Sequence, residues 1–175
     1  MKTLSEKQAL IKLRTLKNDF RKNIKENYEH RAKDCGTCET KGACCLDAHF
    51  VNVHITRLEA VLINAEIGKL SAEKQKEINE QITETIEKFE LKSEGDTFAQ
   101  TFACPLFEAN VGCLIHEVKP IPCIAHACYE RAEDLPPDDL QQNAEDKIER
   151  LNRQTFKKIT TWLPLPVYLN SSKSD

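Results

Sequence analysis

Hydrophobic residues recur at helical spacing in the first stretch of the chain. Its apolar stripe consists of Ala9, Leu13, Leu16, Phe20, Ile24 and Tyr28. Steps of three and four residues place these side chains on one face of an amphipathic helix, which is predicted to end near Lys33. A stripe of this kind is typical of core packing rather than ligand binding.

The pattern changes after residue 50. Apolar Val51, Val53 and Ile55 alternate with polar Asn52 and His54, which predicts a short strand because successive strand residues face opposite sides.

Two helices are predicted next, each with a hydroxyl residue as its N-cap. Thr56 precedes a helix over about residues 57–68, which Gly68 ends. Ser71 precedes a second helix that continues to about Lys92.

The last predicted helix opens at the sequence PPDD, residues 136–139. Its apolar face consists of Leu140, Ala144, Ile148, Leu151, Thr155, Ile159 and Trp162. Pro164 is expected to end it. The chain after Pro166 is expected to be a mobile tail.

These patterns predict a mainly α fold, with a small irregular cysteine-cluster metal domain that contains a short strand element and is flanked by amphipathic helices. The predicted parts are a basic N-terminal helix at 1–34, the cysteine-cluster domain at 35–130, a C-terminal helix at 131–163 and a tail at 164–175. A length of 175 residues suits one compact domain overall.

The charge is polarised along the chain. Residues 1–34 hold ten Lys or Arg and five acidic residues, although the whole chain has a net charge of −3. No aromatic residues interleave with these basic ones as in many nucleic-acid interfaces, and overall acidity also disfavours nucleic acid as a partner. A solvated helix face is the favoured interpretation, and an unknown protein partner of this helix is the alternative.

The N-terminal residues lack the unbroken apolar stretch of a secretory peptide. No run approaches the roughly 20 apolar residues needed to cross a bilayer. The expectation is a soluble protein of the cytoplasm, without membrane association, whose thiols are kept reduced.

All eight cysteines fall between residues 35 and 128, which is unusual for cysteines used only as small core residues. Multiple thiolates on two loops are typical of a tetrahedral zinc site or an iron–sulfur cluster. The predicted metal ligands are Cys35, Cys38, Cys44, Cys45, Cys104, Cys113, Cys123 and Cys128. Cys128 fits a ligand or a buried thiol equally well.

The adjacent pair Cys44 and Cys45 bears on how these ligands are shared. The segment between Asp34 and Leu46 has no helical period and is predicted to be a loop. In an extended segment the two side chains point to opposite faces, so at least two thiolate environments are expected.

Four histidines lie near the cysteines in sequence: His49, His54, His116 and His126. Each is expected to be an ordinary exposed or hydrogen-bonded histidine. His116 and His126 are the best exceptions, because each follows a cysteine by three residues. Glu117 and Lys119 fit either groups supporting a metal site or a surface pair.

Two sequence segments carry a family resemblance. The first is Cys35-Gly-Thr-Cys38 followed by Cys44-Cys45, an apolar strand and a helix begun by a threonine. The second runs from Cys104-Pro through Gly-Cys113 to Glu117, a Lys-Pro step and Cys123. Together they resemble the YkgJ-type cysteine cluster family. The matched positions are Cys35, Cys38, Cys44, Cys45, Cys104, Pro105, Gly112, Cys113, Glu117, Pro120 and Cys123.

The resemblance implies a zinc- or iron-chelating CxxCxxCC domain and supplies no established reaction. Three functions are therefore weighed. The first is an iron–sulfur or iron protein with a redox or electron-transfer role. The second is a zinc module that acts as scaffold, metal carrier or interaction domain. The third, a protein-modifying enzyme such as a lysine methylase, is the least favoured, since the sequence lacks a glycine-rich nucleotide turn. Whether the chain is an enzyme is left open.

Overall fold

The computed structural model describes residues 3–34, 37–49, 51–159 and 161–171. The fold is mainly helical, with 59% helix and 6% strand, which confirms the predicted fold class. The helices are α1 Glu6–Asn27, α2 Ala43–Leu46, α3 Arg57–Ile67, α4 Ala72–Lys88, α5 Ile121–Ala125, α6 Asp138–Phe156 and α7 Leu165–Ser171. The strands are β1 His54–Ile55, β2 Phe107–Glu108, β3 Gly112–Cys113 and β4 Leu163–Pro164.

The chain divides into two compact units, where the length suggested one compact domain. The first unit contains residues Met1–Lys41 and Lys119–Ile159, and the second contains Gly42–Val118 and Thr160–Asp175. The chain therefore leaves the first unit, builds most of the second, and returns. None of these boundaries coincides with those expected from the sequence pattern.

In the first unit, α1 packs against α5 and α6. Ser5 caps α1 in a capping box with Gln8, in which each side chain accepts a hydrogen bond from the other residue's backbone N–H. Most residues of the predicted apolar stripe are buried in α1. The buried face of α1 also contains Lys17, which is only 1% exposed. The aliphatic stem of a lysine is long enough to line such a face.

Two helix ends in this unit differ from the prediction. Helix α1 ends at Asn27 rather than near Lys33, because the backbone of Lys33 pairs with that of Cys128 in an antiparallel bridge. Helix α6 ends at Phe156 rather than Trp162. Lys157 adopts a left-handed conformation with φ of 56°, and Ile159 is 92% exposed instead of facing the core.

In the second unit, α3 and α4 begin at the predicted caps. Thr56 forms a capping box with Glu59, and the Ser71 hydroxyl accepts a hydrogen bond from the N–H of Lys74. Helix α4 ends at Lys88, before the predicted Lys92, since the chain turns at Glu90 with φ of 50°.

Strands β1 and β4 of this unit pair antiparallel, with Ile55 opposite Leu163. The predicted strand is shorter than expected, and its alternation fails at His54, which is buried.

The C-terminal segment is not a mobile tail over the residues described. Pro164 pairs with His54 instead of ending a helix, and α7 packs against α3 and α4. Leu169 of α7 is fully buried. The expectation of a tail at 164–175 is therefore wrong for 164–171, and residues 172–175 lie outside the described part of the chain.

None of the helices within the described ranges combines the length and the apolar character needed to span a bilayer.

Candidate metal centre

The predicted ligands fall into both units of the fold. Cys38, Cys123 and Cys128 belong to the first unit, and Cys44, Cys45, Cys104 and Cys113 belong to the second. Cys35 lies outside the described residues. The seven described cysteines are reduced thiols of intermediate exposure. Partial burial of reduced thiols suits metal ligation, because the sulfurs remain reachable by an ion.

Cys44 and Cys45 lie on a single helical turn, α2, rather than in a loop. Gly42 precedes it in a left-handed conformation with φ of 83°, and its carbonyl oxygen accepts hydrogen bonds from the N–H groups of Cys45 and Leu46. Successive helical side chains are about 100° apart rather than on opposite faces. The extended geometry expected for this pair is therefore wrong, and the Cys44 and Cys45 side chains are hydrogen-bonded to each other.

Cys104 and Cys113 lie at either end of a small hairpin in the second unit. Strands β2 and β3 pair antiparallel with Phe107 opposite Cys113. The turn between them contains Asn110 and Gly112 at positive φ, of 66° and 101°. The N–H of Phe107 donates to the carbonyl oxygen of Cys104 at 3.4 Å, which folds Cys104 back toward the strand.

The hairpin segment and the α2 turn meet through the backbone. The N–H of Cys104 donates to the carbonyl oxygen of Cys45 at 2.8 Å. Nearby, the N–H of Phe102 donates to the carbonyl oxygen of Val51 at 3.0 Å. Two stretches of chain that are distant in sequence, each with two cysteines, are thus held side by side within one unit.

The four thiols of this unit interact electrostatically around Cys45. Burial raises the pKa of Cys45 to about 12, with further contributions from Cys44, Cys104 and Cys113 and from its hydrogen bond to Cys44. A thiolate at this position is disfavoured because its surroundings are poorly solvated and neighbouring thiols would repel it. A bound cation reverses this preference, since metal ligation displaces the thiol proton.

The residue types of this cluster suit a metal ion, but the positions of its described side chains do not form a metal site. Thiols are the ligands preferred by Zn²⁺ and by iron–sulfur clusters. Across the described ranges, however, no three or more His, Cys, Asp and Glu side chains are grouped so that they could hold a metal ion. The residue types therefore fit, but the sulfur positions are not a preformed cage.

In the first unit, Lys33 links two of the cysteines. Its N–H donates to the carbonyl oxygen of Cys128 at 2.9 Å, and its ammonium forms an ion pair with Glu130 at 2.5 Å. The pKa of Lys33 is raised, mainly by Glu130 and to a smaller extent by Cys128 and Cys38. The Cys38 thiol also donates to the carbonyl oxygen of Thr40 at 3.3 Å.

Cys123 lies on α5, a helix that begins at the Pro120–Ile121–Pro122 segment and packs against α1. Proline in the first helical turn lacks only an N–H that has no helical partner. Helix α5 ends at Ala125, three residues before Cys128.

The histidines are exposed at positions 49, 116 and 126, whereas His54 is buried. Nε2 of His54 lies 3.0 Å from the carbonyl oxygen of Thr97, and its ring stacks on Phe98 with centroids 4.3 Å apart. Burial lowers the pKa of His54. His54 thus has a structural role in joining β1 to the turn at Thr97–Ala99.

His126 differs from His54 in its electrostatic surroundings. Its pKa is lowered by desolvation and by the positive charge of Lys119. Glu117 is exposed, and Lys119 is partly exposed.

Two features of these surroundings were missed from the sequence. One is the Lys33–Glu130 pair beside the first unit's thiols, and the other is the packing of Phe107 on Gly42 beneath the cysteine-bearing turn. A glycine two residues before a cysteine pair was the only sequence signal for the second, and nothing local indicated the first.

Comparison with known proteins found no relative of this chain. No protein-family model, curated protein or solved structure matches the chain. The resemblance to the YkgJ-type cysteine cluster family therefore stays a prediction that depends on the motif residues themselves.

Proposed function

We propose that this chain is a thiolate metal-binding protein that carries an iron–sulfur cluster or iron and serves in redox chemistry or electron transfer. In the second unit the ligands are Cys44, Cys45, Cys104 and Cys113. The observation that carries the proposal is the backbone hydrogen bond between Cys104 and Cys45, which holds the two cysteine segments together.

Ligand chemistry supports iron and zinc ahead of other metals. Soft thiolate donors favour zinc and iron–sulfur clusters, whereas magnesium and calcium prefer oxygen ligands. The seven described thiols are reduced, which agrees with the proposed location in the reducing cytoplasm.

Electrostatics around Cys45 support a cationic occupant. Cys45 has three thiol neighbours, Cys44, Cys104 and Cys113, that contribute to its raised pKa. Once these thiols are deprotonated, their negative charges favour a bound cation. Because the thiols are partly exposed, electrons would have a short path between a cluster and a partner at the surface. Solvent exposure and net charge also tune the potential of such a cluster.

A zinc-binding module without catalytic activity is the second candidate. The small size of the secondary-structure elements around the cysteines favours it. Strands β2 and β3 contain two residues each, and Val111 in their turn is 67% exposed. Elements this small bury little apolar surface, and a structural zinc ion can supply on the order of 10 kcal/mol of folding free energy. A zinc ion would then act as the scaffold of this hairpin.

Anaerobic purification with elemental analysis separates the two candidates. A brown protein that contains iron and acid-labile sulfide supports the cluster, and a colourless protein with stoichiometric zinc supports the scaffold. Cys104→Ser is expected to lose most of the metal of the second unit. The control is Val111→Ala, which changes an exposed side chain of the same hairpin and should keep the metal. Wild-type protein that binds neither iron nor zinc would refute the proposal.

A further inference from the structure

Helix α1 presents a stripe of positive charge to solvent. Its other side is buried through Ala9, Leu13 and Phe20, and the helix packs against α5 and α6. At about 100° per residue, one exposed sector carries the basic stripe, which consists of Lys7, Arg14, Arg21, Lys22 and Lys25. The acidic residues of α1 fall outside this sector. The ion pair of Lys22 with Glu26, at 3.9 Å between largely exposed side chains, is a weak one.

Helix α4 presents a stripe of the opposite sign. Its buried side contains Ile78, Ile82 and Thr85, and the helix packs against α7. Steps of four and three residues keep side chains on one side of a helix. At these steps follow the five exposed carboxylates of the glutamate stripe, which are Glu73, Glu77, Glu80, Glu84 and Glu87.

The lysines of α4 neutralise the glutamate stripe only in part. Lys74 lies 2.8 Å from Glu77, but it also pairs with Glu108 of β2 at 2.6 Å. Lys76 lies 3.8 Å from Glu80, and both of these side chains are more than half exposed. The stripe therefore keeps negative charge that a partner can neutralise.

The two stripes match in spacing as well as in sign. Each contains three charges that follow one another at seven-residue steps, which is about 10 Å along a helix. These charges are Lys7, Arg14 and Arg21 in α1 and Glu73, Glu80 and Glu87 in α4. Two helices that lie side by side can therefore bring three pairs of opposite charges together in register.

We propose that the partner of these surfaces is a second copy of this chain, with the basic stripe of one copy docked on the glutamate stripe of another. One chain supplies both complementary surfaces. Because two different surfaces meet, the contact is heterologous. The stripes consist of exposed charges without an apolar anchor, so the association is weak and depends on salt. Neither stripe contains a cysteine, and the inference is independent of the proposed function.

Sedimentation equilibrium of the reduced full-length chain measures this association. At about 0.05 M NaCl, the average mass of wild type should rise with protein concentration. At about 0.5 M NaCl, the dissociation constant should be at least about tenfold higher, because salt screens interactions between exposed charges. A reducing agent in all samples prevents disulfide-linked dimers.

Charge reversal identifies the two surfaces. The α1 variant is Lys7→Glu/Lys22→Glu/Lys25→Glu, and the α4 variant is Glu73→Lys/Glu80→Lys/Glu87→Lys. Each variant alone should be monomeric, because its two stripes then have the same sign. An equimolar mixture should associate again, since the acidic α1 of one variant complements the basic α4 of the other. Lysine and glutamate are both good helix formers, so circular dichroism should show unchanged helix content.

A matched control separates the stripes from the net charge of the chain. Lys41→Glu/Lys92→Glu/Lys158→Glu changes the net charge as much as the α1 variant does, at exposed lysines outside both stripes. It should associate as wild type does. Equal loss of association in this control would overturn the inference.

Three other results would also overturn it. One is wild type that stays monomeric at low salt, and another is association that both charge-reversal variants retain. The third is a mixture of the two variants that stays monomeric. Monomeric wild type that binds a fluorescent RNA oligonucleotide, with binding lost in the α1 variant, would assign the basic stripe to nucleic acid instead.

Discussion

The ring of Phe107 lies directly against the α-carbon of Gly42, so that a β-carbon at Gly42 would overlap the ring. Gly42 also has φ of 83°, a conformation that L residues with a side chain rarely adopt. Two separate physical requirements therefore select glycine at this position. The contact places the hairpin with Cys113 next to the turn with Cys44 and Cys45.

Gly42→Ala is expected to destabilise the second unit and to weaken its metal binding. The left-handed backbone alone costs about 1–2 kcal/mol for a residue with a β-carbon, and displacement of the Phe107 ring adds to this. Urea unfolding followed by circular dichroism measures the loss, and chelator competition measures the affinity for zinc.

Gly95 offers a matched control for this substitution. It has a similar φ of 80°, but nothing lies within 4 Å of a β-carbon placed there. Gly95→Ala should therefore show the backbone cost without the clash. Phe107→Ala in the background of Gly42→Ala should recover part of the difference. Equal losses for the two glycine variants would contradict the role given to the ring.

Cys45 is expected to be the slowest of the second unit's thiols to alkylate in reduced, metal-free protein. The thiolate is the reacting form, and the pKa of Cys45 is raised to about 12 by burial and by its thiol neighbours. At pH 8 such a thiol has on the order of a thousandfold less thiolate than an ordinary cysteine. Pulsed iodoacetamide labelling with fragment-ion mass spectrometry resolves Cys45 from Cys44.

The substitution Cys44→Ser tests the cause of this slow reaction. It replaces an ionisable thiol, whose negative charge raises the pKa of Cys45, by a hydroxyl that does not ionise, so alkylation of Cys45 should become faster. Unchanged slow labelling in Cys44→Ser would show that the charge of Cys44 does not contribute to the slow reaction of Cys45. Rapid labelling of Cys45 in wild type would contradict the raised pKa of this thiol.

Stability of the second unit is expected to fall as pH decreases below about 6.5, the value of a histidine in an unfolded chain. Burial lowers the pKa of His54 in the folded state, so between these two values the unfolded chain binds a proton that the folded chain does not. The loss begins near the unfolded value and levels off below the lowered folded pKa. Urea unfolding at pH 7.5 and 5.5 measures it.

His54→Phe is the informative variant for this effect. A phenyl ring keeps the stacking on Phe98 but cannot titrate and loses the contact with Thr97. Its stability should be lower at pH 7.5, and its decrease between pH 7.5 and 5.5 should be smaller than in wild type. A decrease as large as that of wild type would show that groups other than His54 cause the pH dependence.

The C-terminal helix is expected to be an integral part of the second unit. Leu169 is fully buried, with 0% of its surface accessible to solvent. Leu169→Ala should lower the free energy of unfolding by about 2–4 kcal/mol, the usual range for a buried leucine. Leu46→Ala, at a leucine of the same unit that is 47% exposed, should cost less than about 1 kcal/mol. Similar costs for both would indicate that α7 is not docked.

The four long helices α1, α3, α4 and α6 could be predicted, and the starts of the last three as well, because their signals are local. The short helices α2, α5 and α7 were not predicted. The hydroxyl groups of Thr56 and Ser71 cap the N-terminal turns that immediately follow them, so the residues that decide each start are within four positions. Helix ends were less predictable. Lys33 leaves the helical pattern because Cys128, far along the chain, pairs with its backbone.

The candidate site was predictable in composition but not in arrangement. The clustering of eight cysteines and their spacings identify thiol chemistry from the sequence alone. The spacing within a motif does not reveal which unit each cysteine joins, because that depends on contacts formed after the chain returns. The adjacent pair Cys44–Cys45 shows the same limit, since one helical turn replaced the expected loop.

The sequence by itself determined the mainly helical fold, two of the helix caps and the clustering of the thiols, because periodicity, capping and cysteine spacing belong to residues near one another. Only the tertiary structure decided that Pro164 pairs with His54, that the last helix is buried, and that Cys38 and Cys44 belong to different units. These outcomes depend on which segments, distant in sequence, pack together and bury their apolar side chains. Alternative long-range contacts compete for this packing, and no single stretch of the chain determines the result.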